Sequence, residues 1–236
     1  MKPRVYLDAA LAHAGEVSLD DAPAHHLARV LRLREGDSLT VFNGRGGEWD
    51  AEFLGKRRVR LREFSEVERE SPLHITLAQG VSSGDRMDYT IQKAVELGVA
   101  CIQPIFTKRG VVRLEGSRAQ SRVNHWKKIV IAACEQSGRN RVPEMRPLVD
   151  FPIYVRDLRD EGARLLLSAQ GRPLKELDVK ATATVAAGPE AGFAPEEQAA
   201  LERAGFVKAS LGPRILRTET AALAALAALN ALRGDF

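Results

Sequence analysis

The chain has 236 residues, of which 44% are hydrophobic and 28% charged, with a net charge of +4. That length suits one large domain or two modest ones. No apolar run approaches the roughly 20 residues needed to span a bilayer. The opening Met1-Lys2-Pro3-Arg4-Val5-Tyr6 lacks the apolar core of a signal peptide. A cytoplasmic protein with no membrane partner is expected. Cys101 and Cys134 lie far apart in apolar surroundings, which suits buried free thiols in a reducing compartment. Neither they nor the five histidines show metal-ligand spacing, so no metal is expected.

Residues 4–7 read as a short strand. Residues 21–31 read as a capped helix, with Asp21 as N-cap, Pro23 in the first turn, and Leu27, Val30 and Leu31 on one face. Gly36-Asp37 is a turn. Residues 38–42 and 48–54 read as strands joined by Asn43-Gly44-Arg45-Gly46-Gly47, a loop rich in residues that tolerate positive φ. Residues 59–64 are a further strand, alternating Val59 and Leu61 with arginines. Together these make a small barrel-like module. The charged stretch from Glu66 to Pro72 sets a boundary between domains at 1–71 and 72–236.

From residue 73 the pattern changes. Strands at 73–79, 101–106, 164–169, 182–187 and 206–210 alternate with helices at 86–97, 122–137, 195–204 and 219–232. This is the pattern of an α/β domain with a largely parallel sheet. Gly98, Gly138 and Gly205 stop three of the helices. In the last helix, Leu223, Leu226, Leu229 and Leu232 recur three apart among alanines. That suits a packed core helix, and its small residues also admit another helix, including one from a second subunit.

The charge is unevenly placed. Residues 1–72 carry 12 basic and 13 acidic side chains, 86–146 carry 12 and 5, and 147–236 carry 11 and 12. The positive field belongs to the middle of the chain, with a short run at Lys56-Arg57-Arg58-Val59-Arg60-Leu61-Arg62. A basic block on a balanced protein is the footprint of a polyanion, so nucleic acid is the expected partner. A set of solvated helix faces is the alternative.

Two loops carry the densest chemistry. Gly188-Pro189-Glu190-Ala191-Gly192 follows the strand at 182–187, at the end where open α/β folds bind ligands. It is neither a G-x-G-x-x-G fingerprint nor a P-loop. Leu211-Gly212-Pro213-Arg214-Ile215-Leu216-Arg217-Thr218 follows the next strand and runs into a helix. A helix start offers free N–H groups and a positive dipole end. Both loops should emerge on one sheet edge and share one pocket. Gly84-Asp85-Arg86 opens an amphipathic helix with Ile91, Ala94 and Val95 on its apolar face. Gln136-Ser137-Gly138-Arg139-Asn140-Arg141 ends another in a polar, basic loop suited to phosphate or bases.

Four stretches then carry a resemblance: Gly84 to Gly98, Ala133 to Arg139 with Val142-Pro143, Gly188 to Phe193 with Pro195-Glu196-Glu197, and Leu211 to Leu223. In that order they resemble the ribosomal RNA small-subunit (uracil-N3)-methyltransferase family of the SPOUT superfamily. His26, Val30-Leu31-Arg32, Gly36-Asp37 and Asn43-Gly44 extend the resemblance into the first domain, so it covers essentially the whole chain. The run from Leu211 to Ala221 is its most specific element. The resemblance implies a PUA-like β-barrel at 1–71 that binds RNA. It implies a SPOUT-type α/β domain with a deep trefoil knot at 72–236, which binds the cofactor and dimerises. The cofactor is S-adenosyl-L-methionine, the assembly a homodimer, and the product N3-methylated uridine in the decoding region of 16S rRNA, within the small ribosomal subunit. The family's cofactor contacts fall here on Leu167, Ser168, Gly188, Pro189, Glu190, Gly192, Leu211, Gly212, Ile215, Leu216 and Thr218. The chain departs from the family at Ala191, where a glycine is usual, and an alanine is unfavourable if that position needs positive φ.

Methyl transfer from a sulfonium needs no metal. N3 of uracil must lose a proton, and negative charge then spreads onto O2 and O4. Arg214 and Arg217 suit stabilising that charge. Glu219 or Glu190 could accept the proton, although an acid in the first turn of a helix is favoured by the dipole in any case. RNA contacts are expected from Arg29, Arg32, Lys56, Arg57, Arg58, Arg139 and Arg141. Two other classes fit the same residues: a SPOUT enzyme acting on tRNA or a ribose 2′-OH, and a non-catalytic RNA-binding or ribosome-assembly protein.

Overall fold

A computed structural model describes residues 2–110, 116–159 and 162–236, with the backbone alone at Ala22. These residues divide into two compact units, Met1–Glu70 with Ile131–Val142, and Ser71–Val130 with Pro143–Phe236. The break falls inside the charged, proline-terminated stretch. Ile131–Val142 packs with the first unit because its polar groups are satisfied there. Glu135 accepts the Tyr6 N–H at 2.9 Å, and Asn140 donates to the Val67 carbonyl at 2.7 Å.

The first unit contains β1 (Arg4–Tyr6), β2 (Gly15–Ser18), α1 (Asp21–His25) extended by a π-type stretch at His26–Val30, β3 (Ser38–Phe42), β4 (Glu48–Phe53) and β5 (Arg58–Ser65). They form one sheet in the order β1-β3-β4-β5-β2. β1 pairs with β3 in parallel and the other pairs are antiparallel. Strand period explains the core: Trp49, Ala51 and Phe53 alternate inward along β4, and Val59 and Leu61 along β5. They close on Val5, Leu27, Leu39 and Val41. In the β3–β4 loop Gly44, Gly46 and Gly47 all take positive φ. Gly47 has no substitute, since a Cβ there would stand 2.3 Å from the Phe64 ring. Asp21 begins α1 rather than capping it; the Asp20 carbonyl takes the first bond, from the Ala24 N–H.

The second unit contains β6 (His74–Gly80), α2 (Gly84–Glu96), β7 (Cys101–Phe106), most of α3 (Gly116–Ser137), β8 (Glu144–Met145), β9 (Val149–Asp150), α4 (Phe151–Arg156), β10 (Ala163–Pro173), a 3-10 turn (Leu174–Glu176), β11 (Thr182–Ala187), α5 (Pro195–Arg203), β12 (Val207–Ser210) and α6 (Thr218–Arg233). The sheet order is β12-β10-β11-β6-β7-β8, with β9 also on β7. Every pairing is parallel, so all the strands end on one edge. β11 is buried on both faces, which its Ala-Thr-Val-Ala-Ala run requires. Helix α6 does not bury the expected leucine row. Its packed face is Ala222, Ala225, Leu226, Leu229 and Asn230, while Leu232 is 45% exposed. Nine residues advance a helix by about two and a half turns. Leu223 and Leu232 therefore lie on opposite sides, and the 3.6-residue stripe prevails.

Among the described residues no helix is long and apolar enough to cross a membrane. No three His, Cys, Asp or Glu side chains among them cluster as metal ligands. Both cysteines are free and buried. Burial pushes the Cys134 thiol up to about 12, so almost no thiolate exists at neutral pH. An alkylating reagent should leave Cys134 untouched in the native protein and modify it after unfolding, as read by peptide mass spectrometry.

Candidate active site

β12, β10 and β11 lie side by side, with Ala186 near the end of β11 opposite Leu166 of β10 and Ala209 near the end of β12 opposite Leu167. The loop after β11 is a tight turn in which the Gly192 N–H donates to the Pro189 carbonyl at 2.8 Å. Gly192 takes φ +69°, whereas Ala191 is not among the non-glycine residues with positive φ. The left-handed position is thus filled by glycine, and Ala191 carries no backbone strain. Two close approaches shape this turn. A Cβ on Gly188 would stand 2.7 Å from the Phe193 nitrogen, and one on Gly80, at the end of β6, would stand 2.6 Å from Pro189.

The loop after β12 opens at Gly212 with φ +101° and ends with Arg217 at the N-cap of α6. There the Thr218 hydroxyl donates to the Gly188 carbonyl and accepts from Gln79 Nε2 at 3.2 Å. The start of α6 is thereby tied to the turn after β11.

Two adjoining cavities result. The larger, about 520 Å³, is lined by Arg86, Leu167, Ala187, the whole Gly188–Gly192 turn, Ile215, Leu216, Arg217, Thr218 and Ala221. The smaller, about 130 Å³, shares Leu167, Ile215, Leu216 and Ala221 and adds Ser168, Leu211, Gly212 and Arg214, among others. Thus Leu167, Ser168, Gly188, Pro189, Glu190, Gly192, Leu211, Gly212, Ile215, Leu216 and Thr218 all line one of the two, as do Arg214 and Arg217. Glu219 lines neither. It sits half-buried in the first turn of α6, and its Oε2 finds no partner among the described residues. Ile215 is 90% exposed.

Glu190 is fixed on the wall. Its Oε1 accepts the Ser83 N–H at 2.9 Å and pairs with Arg86 at 3.3 Å. Partial burial works to raise its carboxyl, but the Ser83 bonds and the Arg86 charge outweigh this and hold it below the usual range. Arg109 Nη1 donates to the Ala191 carbonyl at 3.3 Å from the other side of the turn.

The remaining basic candidates belong to the first unit. Arg29, Arg32, Lys56, Arg57 and Arg58 are exposed. Arg57 pairs with Asp21, and Arg58 pairs with Glu16 at 2.9 Å. Arg32, Lys56 and Arg57 take positive φ, an unusual conformation for long side chains. Arg141 is exposed and reaches Glu68 at 3.4 Å. Arg139 is not at the surface. It is 4% exposed, and its guanidinium grips both oxygens of Glu70.

Residues 69–230 match the RNA methyltransferase domain family, and residues 19–64 match the RNA methyltransferase PUA domain. The ribosomal RNA small subunit methyltransferase E of Buchnera aphidicola subsp. Schizaphis graminum is 33% identical, over 99% of this chain and 97% of its own. The Bacillus subtilis protein of that name is 30% identical over 95% of each. The chain belongs to the ribosomal RNA small subunit methyltransferase E family. Its structure agrees. The Neisseria gonorrhoeae methyltransferase E bound to S-adenosyl methionine is similar with a TM-score of 0.92 at 40% identity, over all of both chains. A Legionella pneumophila protein in complex with the cofactor SAM gives 0.95 at 38%, also over all of both.

Arg86, Ala187 and Ala221 also line the larger cavity, and the sequence carries no local sign of it. Arg86 read as the polar face of an amphipathic helix. Only its place in the first turn of α2, just after a strand end, sets it apart from Lys93 or Glu96.

Proposed function

We propose that this chain transfers a methyl group from S-adenosyl-L-methionine to N3 of one uridine in the decoding region of 16S rRNA, acting on the small ribosomal subunit in the cytoplasm. The observation that carries the reading is the cavity walled by three parallel strand ends and edged by Arg86, Arg214 and Arg217. The residues fit such a cofactor. The volume lies in the range of small-molecule sites, and Gly188 and Gly192 leave bare backbone at the two ends of the turn. On the cavity wall, Glu190 Oε2 is buried without a partner among the described residues. Bound there, the cofactor supplies an electrophilic methyl group on a sulfonium.

The apolar walls, Leu167, Ala187, Leu216 and Ala221, keep water from the reacting atoms. Arg214 and Arg217 stabilise the charge that gathers on uracil O2 and O4. Glu219 is the candidate proton acceptor. Glu190 is a weaker one, since the Ser83 bonds and the Arg86 charge hold its carboxyl below the usual range and so lower its affinity for a proton. In the first unit, taken as the RNA-binding domain, Arg29, Arg32, Lys56, Arg57, Arg58 and Arg141 meet phosphates. The second unit, taken as the SPOUT domain, carries the trefoil knot and the homodimer contact. The support for the knot and for the dimer is membership of the family alone.

Small subunits lacking the modification, incubated with the chain and labelled S-adenosylmethionine, should gain one methyl on a decoding-region uridine, located by mass mapping. Arg217→Ala should lower kcat about a hundredfold, as loss of one charge-stabilising donor does elsewhere, with cofactor affinity unchanged. Glu219→Gln should lower it about as much, and full turnover in that variant removes the base role. Label on tRNA or on a ribose hydroxyl, or none at all, overturns the reading.

A further inference from the structure

Gln79 lies at the C-terminal end of β6, opposite Ala187 of β11 in the parallel ladder. Its side chain lines neither cavity, and it is fully buried. Its Nε2 faces four acceptors: the Gly80 carbonyl at 3.0 Å, the Thr218 hydroxyl at 3.2 Å, the Gly188 carbonyl at 3.4 Å and the Ala187 carbonyl at 3.5 Å. The first two are within ordinary bonding distance and the last two are long. Its Oε1 is buried with no partner among the described residues.

The orientation of the amide is determined. Turning it over would aim an oxygen at three carbonyls, so the –NH₂ must point toward the loops and the oxygen is left unpaired. An unpaired buried acceptor is a cost that stability alone does not explain. A leucine at this position would avoid it. What the amide provides is a link between segments far apart in sequence. Gly188 opens the turn after β11 and Thr218 opens α6, and the Thr218 hydroxyl and this amide join them. The geometry points to Gln79 as a positioning residue that sets the spacing between the turn at 188–192 and the start of α6, and so the width of the cofactor cavity. This rests on the proposed function for the identity of the ligand. The low dielectric around Gln79 makes each of these bonds stronger than it would be in water.

Gln79→Met keeps the length of the side chain and removes the donors. It is expected to weaken S-adenosylmethionine binding at least tenfold by calorimetry. KM for the cofactor should rise by a similar factor, with kcat at saturating cofactor within twofold of wild type. Without cofactor, the amides of residues 188–193 and 216–221 should exchange at least tenfold faster than in wild type, while those of β7 are unchanged. A purely structural role would instead raise exchange throughout the second unit and lower kcat. Should Gln79→Met fail to fold, Thr218→Val tests the same link from the α6 side and should speed the same amides. Wild-type affinity and exchange in the variant overturn the proposal. If the wild-type chain binds no S-adenosylmethionine, the proposed function falls, and the exchange measurement still decides the role of Gln79.

Discussion

Gly188→Ala is expected to reduce S-adenosylmethionine affinity at least a hundredfold while leaving the protein folded. The added Cβ would stand 2.7 Å from the Phe193 nitrogen and 2.9 Å from the Gly192 backbone. Those are main-chain atoms, so no side-chain rotation relieves the overlap. The turn cannot retreat, because Phe193 behind it is packed in a core with Phe151 and Leu201. It must shift into the cavity, which the turn lines. Binding sites tolerate about 0.5 Å of misplacement, and the overlap demands a comparable shift. A hundredfold loss corresponds to about 2.7 kcal/mol. Gly84→Ala is the control: its Cβ would meet nothing nearer than Arg122 at 4.0 Å, in a first helical turn where alanine is welcome. Calorimetry gives the affinities, and far-UV circular dichroism checks the fold. Wild-type affinity in Gly188→Ala would mean that this turn is not a wall of the cofactor site.

How much of this was legible depended on whether the signal was local. The β3–β4 hairpin was plain because alternation and a glycine-rich loop are both short-range. The α/β pattern from residue 73 was plain because β11 is buried on both faces and its composition says so. Strands β8 and β9 were not, since Glu144–Met145 and Val149–Asp150 are two residues each and exist only through pairing with β7. The two Gly-Pro loops announced a pocket through their place after strands. Arg86 and Gln79 did not, because a helix face and a strand end look alike whether or not a cavity lies beside them. The leucine row of α6 misled for a simpler reason, since three-residue spacing is not the helical period. Arg139 misled through distance: the loop from Gln136 to Arg141 reads as basic until Glu70, remote in sequence, is seen to neutralise it.

That pair gives the largest expected effect on stability. Arg139→Met should cost about 3 kcal/mol, at the lower end of the 3–5 kcal/mol typical when one partner of a buried ion pair is removed. The lower end applies because the Glu70 side chain keeps 21% exposure, against 5% for Arg139. Water can therefore reach the stranded carboxylate in part. The loss is not of the pair's own attraction, which desolvation largely offsets, but of the partner that satisfies the Glu70 carboxylate oxygens. A bidentate guanidinium–carboxylate contact also fixes geometry, here between the end of the charged linker and the segment after α3. The unfolding midpoint should fall by roughly 10 °C for a chain of this size. Arg139→Met combined with Glu70→Met should recover part of the loss, because neither charge is then left alone. Arg141→Ala, at the surface two residues on, should change stability by less than about 0.5 kcal/mol while weakening RNA binding. Thermal and denaturant melts of the four chains test this directly. An unchanged midpoint in Arg139→Met would show that this buried pair contributes nothing to the stability of the fold.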